Sequence, residues 1–402
     1  MLRLVEFKVI LMAAVVMGAY DGCVRAQIPA QDAQVLNWES VTAEKPLRVE
    51  LILPDVPGHH ASPLPTVVYL KHLNMERVGR DSDEQILGRL RAEGCLLIIV
   101  DYAHDPAAIS PGINQDLLKL RRDLADSKAR TLFLEQPIDG NRLFIIPEGF
   151  TLRRDIEFAR DGERVLGMDV IYPSNPLRPV AAVMEITCDN VNRMSSFSLL
   201  FCRDTLIEGA AFAGFASAMV DHPVAPPYKG LDDPMPASLL RAVNAVEKLR
   251  SLKDELPLTG KIAAVGFSRG GPFSAMLAGL GEVDAALIHG NRYDYLDLLP
   301  DDPMLPRFEK AWGPLHGNGS RWREHGAMAY LTDRASPMFL NTSDTESAEY
   351  RDGLAKFAKW LDVKEIEHVY REDRDGRGHT VTLDPARLRE IYEFLRSHLI
   401  SK

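Results

Sequence analysis

Gly266-Phe267-Ser268-Arg269-Gly270-Gly271 constrains this chain more than any other stretch. Residues 261–265, Lys-Ile-Ala-Ala-Val, read as a short buried strand running into it, and residues 272–278 read as the helix leaving it. A strand that turns straight into a helix at a serine holds that serine in a strained backbone conformation, and only small residues beside it avoid collision. Gly266 and Gly270 meet that demand. The turn leaves the hydroxyl exposed at a helix N-terminus, where peptide dipoles favour negative charge. Ser268 is therefore the candidate nucleophile, and the backbone N–H of Arg269, directly after it, is a candidate oxyanion donor.

A serine is a weak nucleophile without a base, and the base needs a carboxylate to orient it. His379, in Gly376-Arg377-Gly378-His379-Thr380, lies in a flexible loop after a strand-like segment at 366–370 and before the final helix. It is the candidate base. His59, His60, His72, His316, His325 and His398 read as polar-loop or helix-face residues, and His368 as part of a strand. Pro337-Met-Phe-Leu340 reads as a strand, and the residues after it offer two carboxylates, Asp344 and Glu346. Whichever is not the acid reads as a turn or cap residue before the amphipathic helix carrying Tyr350, Leu354, Phe357 and Leu361.

The chain order serine, acid, histidine resembles the α/β-hydrolase superfamily over residues 154–402. The resemblance implies a mostly parallel eight-stranded sheet with flanking helices. Strand-like segments stand at 154–160, 164–173, 180–187, 214–221, 261–266, 284–289, 337–341 and 366–371, the first two joined at the hairpin dipeptide Asp161-Gly162. The later segments alternate with helical stretches, as parallel strands with crossover helices must. In related hydrolases the distance from the strand-opening proline, here Pro337, favours Glu346 over Asp344 as the acid. The sequence is most similar to the branch holding prolyl-oligopeptidase-type peptidases, dienelactone-hydrolase-like enzymes and acetyl xylan esterases. Residues 308–313 and 322–326 resemble the helical excursion that branch places over its pocket. Tyr293, Tyr295, Leu298, Phe308 and Trp312 either line that pocket or form the excursion's own core.

The second oxyanion donor in this superfamily comes from a glycine-rich loop after the third strand. Here the loop reads Thr187-Cys188-Asp189-Asn190-Val191-Asn192, without glycine. The resemblance assigns the donor to the N–H of Cys188 or Asp189, with the side-chain amides of Asn190 and Asn192 as alternatives. Gly-x-Ser-Arg is also similar to glucuronoyl esterases, in which the arginine assists the oxyanion; the other reading of the Arg269 side chain is a surface ion pair.

With 46% hydrophobic and 26% charged residues the chain is of ordinary globular composition. Its net charge of −10, without a basic cluster, excludes nucleic acid and anionic membrane as partner classes. Residues 1–26 combine a basic start, an apolar run at 9–19 and the small-residue site Val24-Arg25-Ala26, the pattern of a secretory signal peptide, too short to be a lasting membrane span. The expected location is secreted or periplasmic. Beyond that segment Cys95, Cys188 and Cys202 read as buried thiols, with a Cys188–Cys202 disulfide left open. No cysteine or histidine spacing indicates a metal, and no cofactor is called for.

Residues 46–150 echo the first part of the hydrolase-like region. Leu51-Ile-Leu-Pro54 parallels Val170-Ile-Tyr-Pro173, and Leu97-Ile-Ile-Val-Asp101 parallels Ala218-Met-Val-Asp221. The separations between these marks agree to within one residue in the two halves. At the serine position the first half has Pro147-Glu148-Gly149. The expected organisation is a linker at 27–45, a truncated hydrolase-like α/β unit without nucleophile at 46–150, and a catalytic domain at 151–402.

Taken with export, the resemblance implies a serine hydrolase of carboxylic esters, with a small-molecule or polysaccharide ester, preferably a carbohydrate ester, as substrate. The alternatives are a serine peptidase of prolyl-oligopeptidase type and a non-catalytic binding protein on a decayed hydrolase scaffold. Oligomeric state is not readable from these residues.

Overall fold

The computed structural model describes residues 33–39, 46–55, 64–72, 77–102, 119, 138–186, 209–211, 213–224, 235–296, 298, 300–374, 376, 378–379 and 385–400. Residues 33–402 cluster as one compact unit. Within it lie two sheets, and the larger is organised by its central strand. Of that strand's residues, Ile262 and Ala264 enter one apolar core while Ala263 and Val265 enter another. A strand buried on both faces reads as a continuous apolar run, as residues 261–265 do.

The larger sheet contains β6 (Phe150–Asp161), β7 (Arg164–Pro173), β8 (Val180–Ile186), β9 (Ala216–Val220), β10 (Leu258–Gly266), β11 (Ala285–His289), β12 (Met338–Ser343) and β13 (His368–Asp373). Their spatial order is β13-β12-β11-β10-β8-β9-β7-β6. Strand β7 is antiparallel to both neighbours, and the strands from β9 to β13 pair in parallel. This is an α/β-hydrolase sheet. Its β6–β7 hairpin turns through Gly162 and Glu163, one residue later than the dipeptide reading, because Asp161 still pairs with Arg164. Gly162 takes the positive φ of 60° that tight hairpin turns require.

Helices cover both faces. Helices α2 (Met235–Ser251), α3 (Gly270–Leu280) and α6 (Ala348–Val363) bury Leu239, Val246, Phe273, Met276, Leu354 and Phe357 in one core. On the opposite face α7 (Pro385–Leu399) contributes Ile391, Leu395 and Leu399. Between β11 and β12 the chain forms α4 (Leu305–Trp312), α5 (Leu315–His325) and a 3-10 turn (Ala327–Tyr330). None of the described helices is long and apolar enough to cross a membrane.

The smaller sheet has β1 (Ala33–Trp38), β2 (Leu47–Ile52), β3 (Leu64–Lys71), β4 (Leu96–Asp101) and β5 (Ile138–Pro147) in the order β1-β2-β4-β3-β5. Strand β2 is antiparallel to β1 and β4, while β3 runs parallel to β4 and β5. That order and those directions repeat β6-β7-β9-β8-β10 strand for strand. One finding departs from the sequence reading: β1 falls inside the segment taken as a linker. Trp38 joins the core on the face of this sheet away from the larger one, and its burial gives that segment a structural role.

Alternation places the two faces of the small sheet in different cores. Val68, Leu70, Ile98, Val100 and Ile145 pack with Trp38, whereas Val67, Tyr69, Leu97, Ile99, Phe144 and Ile146 share a core with Phe150, Leu152, Ile171 and Val183 of the large sheet. Helix α1 (Asp83–Ala92) lies in this shared layer. Ser82 and Gln85 form its capping box, and Ile86, Leu87 and Leu90 are its buried stripe. Tyr69 ties the joint polar groups together, donating to Asp83 Oδ1 and accepting from Gly149 N–H, both at 2.9 Å. Burial pushes its hydroxyl pKa far up.

Candidate active site

Strand β10 ends at Gly266 and α3 begins at Gly270, so the chain reverses within three residues. Ser268 takes φ of 48°, a left-handed conformation that side chains adopt only when their surroundings enforce it. The enforcement is visible in two backbone bonds, Gly270 N–H to Phe267 O at 2.8 Å and Gly271 N–H to Ser268 O at 3.0 Å. A Cβ at position 266 would lie 2.5 Å from Ser274 Oγ and closer still to the Gly270 carbonyl. A Cβ at Gly271 would lie 2.6 Å from the Tyr293 hydroxyl. The Asn291 side-chain amide also donates to Ser268 O, and its oxygen accepts from Arg292 N–H at 2.7 Å.

The two candidate carboxylates have different partners. Glu346 Oε2 lies 2.6 Å from His379 Nδ1, while Glu346 Oε1 accepts the Ser347 N–H at 2.8 Å. The Glu346 side chain is 1% exposed, against 33% for His379. Burial pushes the Glu346 pKa up, but the hydrogen bond and charge of His379, with the Ser347 N–H, outweigh it and leave the carboxyl below its ordinary value. Asp344 instead accepts from Gly376 N–H at 3.2 Å, and Thr345 Oγ1 accepts from Gly378 N–H at 2.8 Å. Together they clamp the loop that carries His379. Gly376 and Gly378 have φ of 66° and 63°, which accounts for two glycines in that loop. Among the described residues, no hydrogen bond joins Ser268 to His379. The two share a neighbour in Tyr350, whose ring lies 5.0 Å from the His379 ring and which lines the same pocket as Ser268.

That pocket has a volume of about 170 Å³. Tyr295, Phe308 and Trp312 reach it from the excursion while also packing on Trp322, so lining and core are the same residues. Tyr293 does not line it. Its ring stacks on Phe357 and its hydroxyl donates to His289 O. Arg292 lies at the pocket wall, its Nη2 bonded to both oxygens of Asp302 at 3.0 and 2.9 Å, with the Phe308 and Tyr350 rings 5.7 and 5.3 Å from its guanidinium carbon. His325 is the last residue of α5, in keeping with its reading as a helix-face residue, and it is buried against Trp312, ring centroids 4.1 Å apart. Burial lowers its pKa to about 4.

The backbone N–H of Arg269 stands at the N-terminus of α3 beside Ser268. Cys188, Asp189, Asn190 and Asn192 lie outside the described residues, as do Cys202 and residues 1–26. Cys95 is buried. One residue was missed from sequence. His289, the last residue of β11, is buried with its Nε2 3.9 Å from Glu346 Oε2, and neither ring nitrogen makes a hydrogen bond of good geometry among the described residues, with the Asn341 side chain the polar group beside the ring. Burial, then the charge of His379, lowers its pKa to about 4. The readable signal was its place at the carboxyl end of a parallel strand, where sites in such sheets form.

No protein-family model matches the chain, and no curated protein sequence does. Solved structures do. A bacterial heroin esterase is 19% identical, with a TM-score of 0.50 over 63% of this chain and 86% of that one. A truncated carbohydrate esterase from gut microbiota is 15% identical, with a TM-score of 0.49 over 62% and 97% of the two chains. An esterase of Thermogutta terrifontis, Est2 with propionate bound, is 15% identical, with a TM-score of 0.48 over 63% and 97%. At such identities the likeness to the heroin esterase concerns fold. Strand order, directions and the turn at Ser268 define the chain as having an α/β-hydrolase fold, with a smaller sheet of the same topology before it.

Proposed function

We propose that this protein is a serine hydrolase of carboxylic esters. The observation carrying the proposal is the left-handed Ser268 between strand and helix, with a buried Glu346 bonded to His379 on the same side of the sheet. Glu346 holds the Nδ1–H tautomer of His379, so that Nε2 can accept the serine proton as Oγ attacks the ester carbonyl. His379 then returns the proton to the leaving alcohol. Arg269 N–H, with a donor from the loop at 187–192, stabilises the tetrahedral oxyanion. Water attacks the acyl-enzyme with His379 again as base. The Ser268–His379 bond closes during this cycle; catalytic hydrogen bonds commonly tighten only in the reacting complex.

The pocket, at about 170 Å³, suits a short acyl group. A carbohydrate ester is the preferred substrate, resting on the resemblance to acetyl xylan esterases, and a secreted or periplasmic location on the signal-like residues 1–26. A fluorophosphonate probe and an activated acetate ester test the proposal. Wild type should be labelled and turn over; Ser268→Ala should fold, remain unlabelled and lose on the order of 10⁶ in rate. Unlabelled, inactive wild type would establish the binding-protein alternative.

A further inference from the structure

His289, Glu346 and His379 come from three separated parts of the chain, which is why no sequence spacing marks them as a set. In the fold, one donor atom from each lies within 4.8 Å of the others. Two imidazoles and a carboxylate are the donor set that borderline divalent ions such as Zn²⁺ and Co²⁺ take, leaving a coordination position open. His289 is the unexplained member. Its side chain is 4% exposed, and neither buried ring nitrogen makes a hydrogen bond of good geometry among the described residues, the Asn341 side chain being the polar group beside the ring, an arrangement that needs a cause. The Thr342 hydroxyl is likewise buried and unpartnered. Position 290 leaves room beside these groups: a Cβ on Gly290 would stand 3.1 Å from Thr342 Oγ1 and 3.2 Å from Glu346 Oε2.

We propose that His289, Glu346 and His379 form a site for a zinc-like divalent cation, and that its occupancy reversibly switches off ester hydrolysis. Metal–nitrogen bonds of about 2.0–2.1 Å in tetrahedral geometry set donor atoms about 3.3 Å apart. The gaps from Glu346 Oε2, 2.6 Å to His379 and 3.9 Å to His289, straddle that span, and all three donors lie within 4.8 Å of one another, so binding requires shifts of up to about 1.5 Å. His379, partly exposed on a loop with two positive-φ glycines, is the ligand able to move and the side on which an ion enters. On binding, the cation occupies His379 Nδ1 and the single ring proton moves to Nε2, so the imidazole stays neutral and can no longer accept the serine proton. Water completes the coordination. The inhibitory half of this inference rests on the serine mechanism proposed above; the binding half does not.

The test uses the full chain, stripped with chelator and titrated with Co²⁺, read by its visible d–d bands, and with Zn²⁺, read by competition with a chromophoric chelator. One ion per chain is expected, with affinity reduced at least tenfold in His379→Ala and in His289→Asn. His379 is on a partly exposed loop, so its variant remains informative should the buried His289 substitution impair folding. Zn²⁺ should inhibit ester turnover in proportion to occupancy, and excess chelator should restore it. Absence of a retained ion, or equal affinity in wild type and both variants, overturns the site. Binding without inhibition in an active enzyme overturns the switch, and absence of serine-dependent turnover with binding intact overturns the catalytic reading alone.

Discussion

Exchanging one atom of Glu346 should nearly abolish turnover, and the structure dictates which atom matters. In Glu346→Gln the side chain keeps its shape, but one oxygen becomes an amide nitrogen. The Ser347 N–H needs an acceptor at the Oε1 position, 2.8 Å away, so the amide nitrogen is driven to the Oε2 position against His379 Nδ1. Two donors cannot face each other. His379 must therefore give up its Nδ1 proton and carry it on Nε2, the tautomer that cannot accept the serine proton. Flipping the amide instead would leave the Ser347 N–H unpaired in a buried setting, at a cost of about 1–3 kcal/mol. A wrong-tautomer substitution of this kind costs on the order of 10⁴ in kcat, about 5.5 kcal/mol of barrier. Asp344→Asn provides the contrast, because an amide oxygen still accepts from Gly376 N–H and the loop keeps its shape. Its rate should stay within tenfold of wild type. Steady-state kinetics of both variants on one activated acetate ester, with circular dichroism to establish folding, makes the comparison. A Glu346→Gln enzyme within tenfold of wild type, or a larger loss at Asp344, would refute the tautomer argument.

Gly266→Ala should lower the thermal midpoint by several degrees, because a Cβ 2.5 Å from Ser274 Oγ and closer to the Gly270 carbonyl meets backbone that cannot yield, an overpacking cost of about 1–3 kcal/mol or more; an unchanged midpoint contradicts the packing described. Stability should fall as pH drops from about 6.5 toward 4, since His289 and His325 stay neutral in the fold to about pH 4 while the unfolded chain protonates near 6.5. Each contributes on the order of 3 kcal/mol to that loss; histidine ring resonances that titrate near pH 6.5 in the folded protein would defeat the claim. Tyr69→Phe removes the acceptor of Gly149 N–H and the donor to Asp83. Denaturant unfolding should show a loss of about 1–3 kcal/mol with ester turnover at 25 °C unchanged, and equal unfolding midpoints would count against it.

Much of the larger sheet and its turn at Ser268 was legible because its demands are local. The two glycines around Ser268 state a backbone requirement that few other structures impose, and residues 164–173 match β7 in full. Other strand ends shifted by a few residues, as in β10, which starts at Leu258 because polar Thr259 and Lys261 alternate with the buried positions before the continuous apolar run. The choice between Asp344 and Glu346 was only weakly legible. It depends on Ser347 and on a loop 33 residues further along, both tertiary facts. His289 was passed over for the opposite reason: beyond its place at the carboxyl end of a parallel strand, one histidine ending an apolar strand looks like core until Glu346 and His379 are brought beside it. The burial of His325 was likewise not legible, since the Trp312 face that covers it belongs to a neighbouring helix.

The two sheets meet at Glu148 and Gly149, between β5 and β6. In the second unit the equivalent point is followed by a helix, and there the chain opens toward a reactant. In the first it is followed directly by a strand of the other sheet, held by Glu148 N–H to Leu70 O and Gly149 N–H to Tyr69. The position equivalent to Ser268 is here the junction between the two sheets. A serine placed at 148 would have no helix dipole behind it and no free turn around it. Point substitution therefore cannot rebuild a second centre in the first unit; that would require new chain inserted at the splice, and the insertion would part the core the two sheets hold in common.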